Sequence, residues 1–88
     1  GGRRVVSLLM GLIVGDYVWV EKYYMVDGWV EQKRPAVILR FHQKFRHRLS
    51  EVVSPYVKFL DGVGGVAEVA EVYCARMSPM EALVWGTK

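Results

Sequence analysis

Two sets of side chains in this 88-residue sequence have types and spacings that could do chemistry. The first is aromatic. Tyr23, Tyr24 and Trp29 fall within twelve positions of Tyr23 to Arg34, a stretch with the composition of a loop, and Phe59 ends a later apolar run. Rings brought together in this way can form an open box, whose negative faces attract a quaternary ammonium by about 0.5 to 2 kcal/mol per contact. Asp27 and Asp61 would add negative charge at its rim. Trp19 alternates with Val18 and Val20 and is read as ordinary core. The second set is basic. Lys33, Arg34, Arg40, Lys44, Arg46 and Arg48 lie in one segment with His42 and His47 and no acid between them. Such a one-signed segment concentrates phosphates near a face even when the net charge is only +3.

Nothing in the sequence assembles a nucleophile, a base and an orienting partner. His42 and His47 sit among cations, which disfavour both protonation and metal binding, so they are expected as solvent-facing loop histidines that assist anion binding. Cys74 is the single cysteine, which excludes an internal disulfide and a multi-cysteine zinc site and suits a reducing compartment. It falls in an apolar run and is expected as a small buried hydrophobe. Gly62-Val63-Gly64-Gly65 leads into a strand, so it reads as a turn and not as a phosphate cradle. The expectation is a binding module without catalysis, cofactor or metal.

The elements that would position these residues are β-strands. Slightly more than half of the chain is hydrophobic, much of it Val, Tyr, Phe and Trp, which suit a pleated surface. Residues 1–14 are read as an N-terminal flank and 15–88 as one domain. The apolar run Val5 to Val14 is about half the length of a membrane span. No cleavage motif follows it, so secretion and membrane insertion are not expected. Tyr17 to Lys22 alternates as strand one, and a long loop containing Asp27-Gly28, with room for a short hairpin, leads to strand two at Ala36 to Phe41. The basic stretch His42 to Arg48 connects to strand three, Tyr56 to Leu60. Strand four runs from Val66 to Glu71 and a short fifth strand from Val72 to Met77, closing a barrel. Ser78-Pro79-Met80-Glu81 has the form of a capping box with Pro at the first helical position, which predicts a short helix over Pro79 to Trp85. The predicted class is all-β with a short C-terminal helix: a five-stranded SH3-like barrel.

Gly15-Asp16-Tyr17-Val18-Trp19-Val20, Arg34-Pro35-Ala36-Val37-Ile38, Tyr56-Val57-Lys58-Phe59-Leu60-Asp61-Gly62 and Ala67-Glu68-Val69 together resemble a PWWP domain of the Royal superfamily, which includes Tudor and chromo domains. The resemblance covers about Gly15 to Trp85. It implies a nuclear chromatin reader, a monomeric module of a larger transcription or chromatin factor. Such a module binds methylated lysine of a histone tail in an aromatic cage and double-stranded DNA, without sequence preference, on a basic surface. The signature tetrad aligns at Gln32-Lys33-Arg34-Pro35, with Arg34 where the family has a cage tryptophan. Phe59 matches the strand-three cage aromatic, and Tyr23, Tyr24 or Trp29 must supply the missing wall. Gly15 to Val20 followed by Glu31 to Val37 also resembles the MazF-type toxin ribonucleases, in which Arg34 would act on RNA. A third possibility is a barrel gripping an unmodified or Pro-rich peptide.

Overall fold

The computed structural model describes residues 6–47, 50–62 and 64–87. Seven strands are present: β1 (Tyr17–Val20), β2 (Tyr23–Met25), β3 (Gly28–Val30), β4 (Arg34–His47), β5 (Ser50–Phe59), β6 (Val66–Glu68) and β7 (Cys74–Arg76). A single 3₁₀ turn (Glu71–Tyr73) precedes β7, and the helix α1 (Pro79–Gly86) follows it. Five strands form one antiparallel sheet in the order β6-β5-β4-β1-β7, while β2 and β3 pair separately as a hairpin. The chain is therefore β-rich with a short C-terminal helix, as composition and capping residues predict. No pairing among the described residues joins β6 to β7, so the sheet is open where a closed barrel was expected. Both end strands are only three residues long.

Alternation builds the core. Val18 and Val20 of β1, Ala36 and Ile38 of β4, and Val57 and Phe59 of β5 all turn inward, joined by Tyr23, Val69 and Cys74. Trp19 faces the other way, because it alternates with two core valines. Helix α1 covers it there: Trp85 stands edge-on at 6.1 Å and the indole N–H donates to Glu81 at 3.0 Å. The expectation that Trp19 is core is thus corrected. Glu81 also completes the capping box, accepting from the Ser78 amide at 2.8 Å while its own amide donates to the Ser78 hydroxyl at 3.2 Å. These bonds hold its carboxyl below the usual carboxylate range.

The folded unit begins earlier than Gly15. Leu12 is fully buried in the core. Its amide donates to the Ser7 hydroxyl at 2.6 Å, and the Ser7 amide donates back to the Leu12 carbonyl at 2.9 Å. Glu71, itself buried, accepts from the amides of Leu9 and Met10. Of the run read as a flank, residues 7–12 form a tight turn that drives one leucine into the sheet's inner face.

The largest departure lies in β4 and β5. The basic stretch is not a connecting loop but the outer half of a long hairpin, paired from Ala36↔Phe59 to His47↔Ser50. β1 covers β4 only over Arg34–Val37, and β6 covers β5 only over Tyr56–Lys58. Backbone bonds of Gly15 and Asp16 to Ile38 and of Val69 to the Pro55 carbonyl extend that cover by one residue on each side. Beyond them, among the described residues, the two strands pair with each other alone, a ribbon whose residues 41–47 extend roughly 20 Å at the usual rise of a strand. The register shifts between Ile38 and Arg40. Leu39 is the extra residue, and it reverses the alternation. Ile38 points into the core, whereas Arg40 emerges on the opposite face and Phe41 packs inward. Strand β4 is therefore not buried on both faces.

Candidate binding surfaces

The four predicted cage rings separate into two pairs. Tyr23 and Tyr24 are neighbours on one strand and must face opposite ways. Tyr23 turns inward, with its ring 5.2 Å from Phe59, and both rings are only 5 % exposed. Tyr24 turns outward against its cross-strand partner Trp29, centroids 5.4 Å apart and nearly perpendicular. These two rings are 64 % and 54 % exposed. The four do not line one box.

A side chain of the chain itself occupies the inner pair. The Arg34 guanidinium stacks 3.8 Å from the centre of Phe59 and lies 5.8 Å from that of Tyr23. It donates to both carboxylate oxygens of Asp61, from Nε at 2.8 Å and from Nη2 at 2.7 Å, and to the Tyr23 hydroxyl at 3.2 Å. The hydrogen bond to Asp61 is the main force raising the guanidinium's pKa further above its usual value, against the opposing pull of burial. Arg34 is 8 % exposed. Placing it on a DNA-binding surface is therefore corrected: at the start of β4 its side chain turns inward, where a bidentate carboxylate and two rings hold it. The same geometry withholds it from RNA, as the ribonuclease resemblance would require it to act. Asp61 is bound to Arg34 and does not serve as a cage rim.

The outer pair continues into a third ring that sequence reasoning missed. Tyr73, in the 3₁₀ turn, stands 5.5 Å from Trp29 at 77°. Lys22 places its Nζ 4.8 Å from the centres of both Trp29 and Tyr73, and 3.7 Å from Glu31. In the sequence Tyr73 reads as one residue of a fifth strand. Only the turn from Glu71 to Tyr73 carries it to the end of β1, where its carbonyl accepts from the Glu21 amide at 2.8 Å.

Of the remaining basic residues, Lys33 is exposed with its Nζ 4.8 Å from the centre of the Trp19 ring, and Arg40 is exposed with its guanidinium 4.3 Å from that of Tyr56. Backbone positions 40, 42 and 44 alternate along β4 with no register shift among them, opposite Tyr56, Ser54 and Val52. The side chains of Lys44, Arg46 and His47 lie outside the described residues, as does Arg48 entirely. His42 belongs to this strand and not to a loop, with Nδ1 3.1 Å from Glu68 Oε2. Of the described basic candidates, Arg40 alone stands at the base of the β4–β5 ribbon, where Tyr56 braces it.

Elsewhere, a groove of about 300 Å³ opens between the N-terminal turn and β5, walled by Leu8, Leu9, Val53 and Val72. Its one carboxylate, Glu71, accepts the two amide bonds already described. Cys74 is buried, and burial pushes its thiol up to about 12. Among the described residues no cluster of His, Cys, Asp and Glu is placed to hold a metal ion, and no helix is long and apolar enough to cross a membrane. No family model matches the sequence, and neither curated proteins nor solved structures yield a match.

Proposed function

We propose that this chain is an SH3-like, Royal-type binding module that acts on chromatin in the nucleus as part of a larger factor and catalyses no reaction. It recognises a methylated lysine of a histone tail through aromatic side chains and holds DNA phosphates along the basic β4–β5 ribbon. The observation that carries this reading is the pair of large rings, Tyr24 and Trp29, each more than half exposed on the β2–β3 hairpin and neither contributing to the core. Exposed aromatic rings held side by side on paired strands suit cation recognition better than they suit solvent. The strand order supports the SH3-like assignment, since β1 is flanked by a consecutive strand pair on one side and by the last strand on the other.

The ribbon supplies the DNA contact in this reading. A two-stranded ribbon fits the major groove of B-DNA, and alternate positions along it recur about every 6.8 Å, twice the rise per phosphate of one strand. Phosphate contacts carry no base code, so binding is independent of sequence and falls steeply with salt. A weak aromatic site and a weak basic ribbon engaging one nucleosome multiply through effective concentration.

The test is a titration of the isotopically labelled chain with a short DNA duplex and, separately, with unmodified and trimethylated histone peptides. The expected result is salt-sensitive movement of the Arg40 and His42 amides with DNA, and movement of Tyr24 and Trp29 with trimethylated peptide only. Binding of peptide irrespective of methylation would favour a general peptide-binding domain. Cleavage of single-stranded RNA that is lost in an Arg34→Lys variant whose amide spectrum stays dispersed would favour the ribonuclease and end the chromatin reading.

A further inference from the structure

Trp29 and Tyr73 meet nearly at right angles, and the Lys22 ammonium sits in the corner, 4.8 Å from each ring centre. This is the geometry of a cation held by two aromatic faces, with an occupant drawn from the chain itself. The walls are fixed independently of that occupant. The Tyr73 backbone is held by the hydrogen bond its N–H donates to the Ala70 carbonyl at 3.0 Å and by the one its carbonyl accepts from the Glu21 amide. Trp29 is held by the β2–β3 pairing and by its edge contact with Tyr24. Lys22 is anchored far less firmly. Among the described residues it pairs with Glu31, at 3.7 Å, whose side chain is 76 % exposed, and an exposed pair of that length contributes little.

We propose that the Trp29–Tyr73 corner, flanked by Tyr24, is the recognition site for the methylated lysine of a partner protein, and that Lys22 is a built-in competitor which the ligand must displace. The proposal rests on the chromatin reading only for the identity of the partner. It places the site apart from Tyr23 and Phe59, whose faces Arg34 already occupies.

The competitor sets how tightly any ligand must bind, and the ring faces set the preference for a methylated one. An unmodified lysine from outside offers the corner the same ammonium that Lys22 already supplies, but must also surrender translational freedom that Lys22, being tethered, has already lost. A quaternary ammonium is less hydrated and gains more from the ring faces. On displacement, Lys22 still has the Glu31 carboxylate within reach. Because Lys22 must leave before any ligand binds, it weakens every ligand by the same factor. It therefore sets an affinity threshold and does not alter the ratio between methylated and unmodified lysine.

The experiment follows the Trp29 indole N–H resonance of the full chain, assigned by Trp29→Phe, during titration with tetramethylammonium chloride and then with a trimethyllysine peptide and its unmodified counterpart. The expected result is saturable movement with tetramethylammonium and with the trimethylated peptide. Lys22→Gln should tighten both peptides by a common factor, on the order of three- to tenfold, and Tyr73→Ala should abolish the response while the amide spectrum stays dispersed. An unmoved Trp29 indole in both the natural chain and a folded Lys22→Gln variant would overturn the site. Unchanged affinities in Lys22→Gln would overturn the competitor. Movement of Trp29 with tetramethylammonium but with no histone peptide would support the cation site while ending the histone reading. Histone binding felt only at Tyr23 and Phe59 would do the reverse.

Discussion

Arg34 is the residue on which the two resemblances and the structure meet. Both resemblances make position 34 functional, as a cage wall or as a catalytic contact. The structure makes Arg34 the centre of a network joining β2, β4 and the turn after β5: Tyr23 supplies a ring face and a hydroxyl that accepts from the guanidinium, Phe59 a ring face, and Asp61 two accepting oxygens. The planar fork matters more than the charge, because one ammonium cannot bond two carboxylate oxygens side by side while stacking flat on a ring. Arg34→Lys is therefore not conservative. Arg34→Ala should cost on the order of 3 kcal/mol, since it strands Asp61 and opens a gap against Phe59. Arg34→Lys should recover less than half of that. Urea unfolding of the three proteins decides the matter, and a full recovery by lysine would show that the network is merely electrostatic. Because Phe59 and Tyr23 are core members as well, this residue sets the stability of the hairpin that presents Trp29.

At the scale of elements, the Leu39 bulge decides what the basic segment can do. Had β4 kept strict alternation beyond Ile38, position 40 would have followed 36 and 38 into the core, taking an arginine with it. The extra residue sends Arg40 outward over Tyr56 and lets Phe41 pack inward. Deleting Leu39 should restore the wrong parity and abolish the cooperative thermal transition, a loss on the order of 3 kcal/mol or more. Deleting Gly64, in the turn between β5 and β6, should leave a cooperative transition, as loops tolerate such changes. Similar behaviour of the two deletions in thermal circular dichroism would mean that register in β4 is not what places the arginine. Local pattern made several elements legible: the Val18/Val20 alternation of β1, the Asp27-Gly28 hairpin, where Gly28 adopts φ 119°, and the Ser78 capping box. What local pattern does not contain is pairing. Nothing between His42 and Val53 announces a ribbon, because its charges read as a loop and only the partner strand supplies the missing hydrogen bonds. Tyr73 was hidden for the same reason, as its position depends on a turn closing against β1. The split of Tyr23 from Tyr24, in contrast, follows from strand alternation once the hairpin is recognised.

The whole molecule is small, so its stability depends on a few buried groups, and one of them makes that stability pH-dependent. Cys74 closes β7 against β1 opposite Val20 and is 6 % exposed. Burial, reinforced by the negative charges of Glu71 and Glu21, raises its thiol from 9.0 to about 12. The folded chain thus binds the thiol proton more tightly than the unfolded chain does. The contribution of this group is fully present below pH 9, where both states carry the proton. It is lost as pH rises from 9 towards 12, where the unfolded chain ionises first, at a rate on the order of 1 kcal/mol per pH unit. The informative quantity is a difference between two proteins that share every other group. Urea unfolding of the natural chain and of Cys74→Ala between pH 7 and 10.5 should give a stability gap that is constant up to about pH 9 and narrows above it. A gap that stays constant to pH 10.5 would mean that the thiol is not isolated from water in the folded state. The same burial predicts that thiol reagents modify Cys74 only as fast as the chain opens, which links the chemistry of one atom to the cooperativity of the sheet that carries the aromatic hairpin and the ribbon.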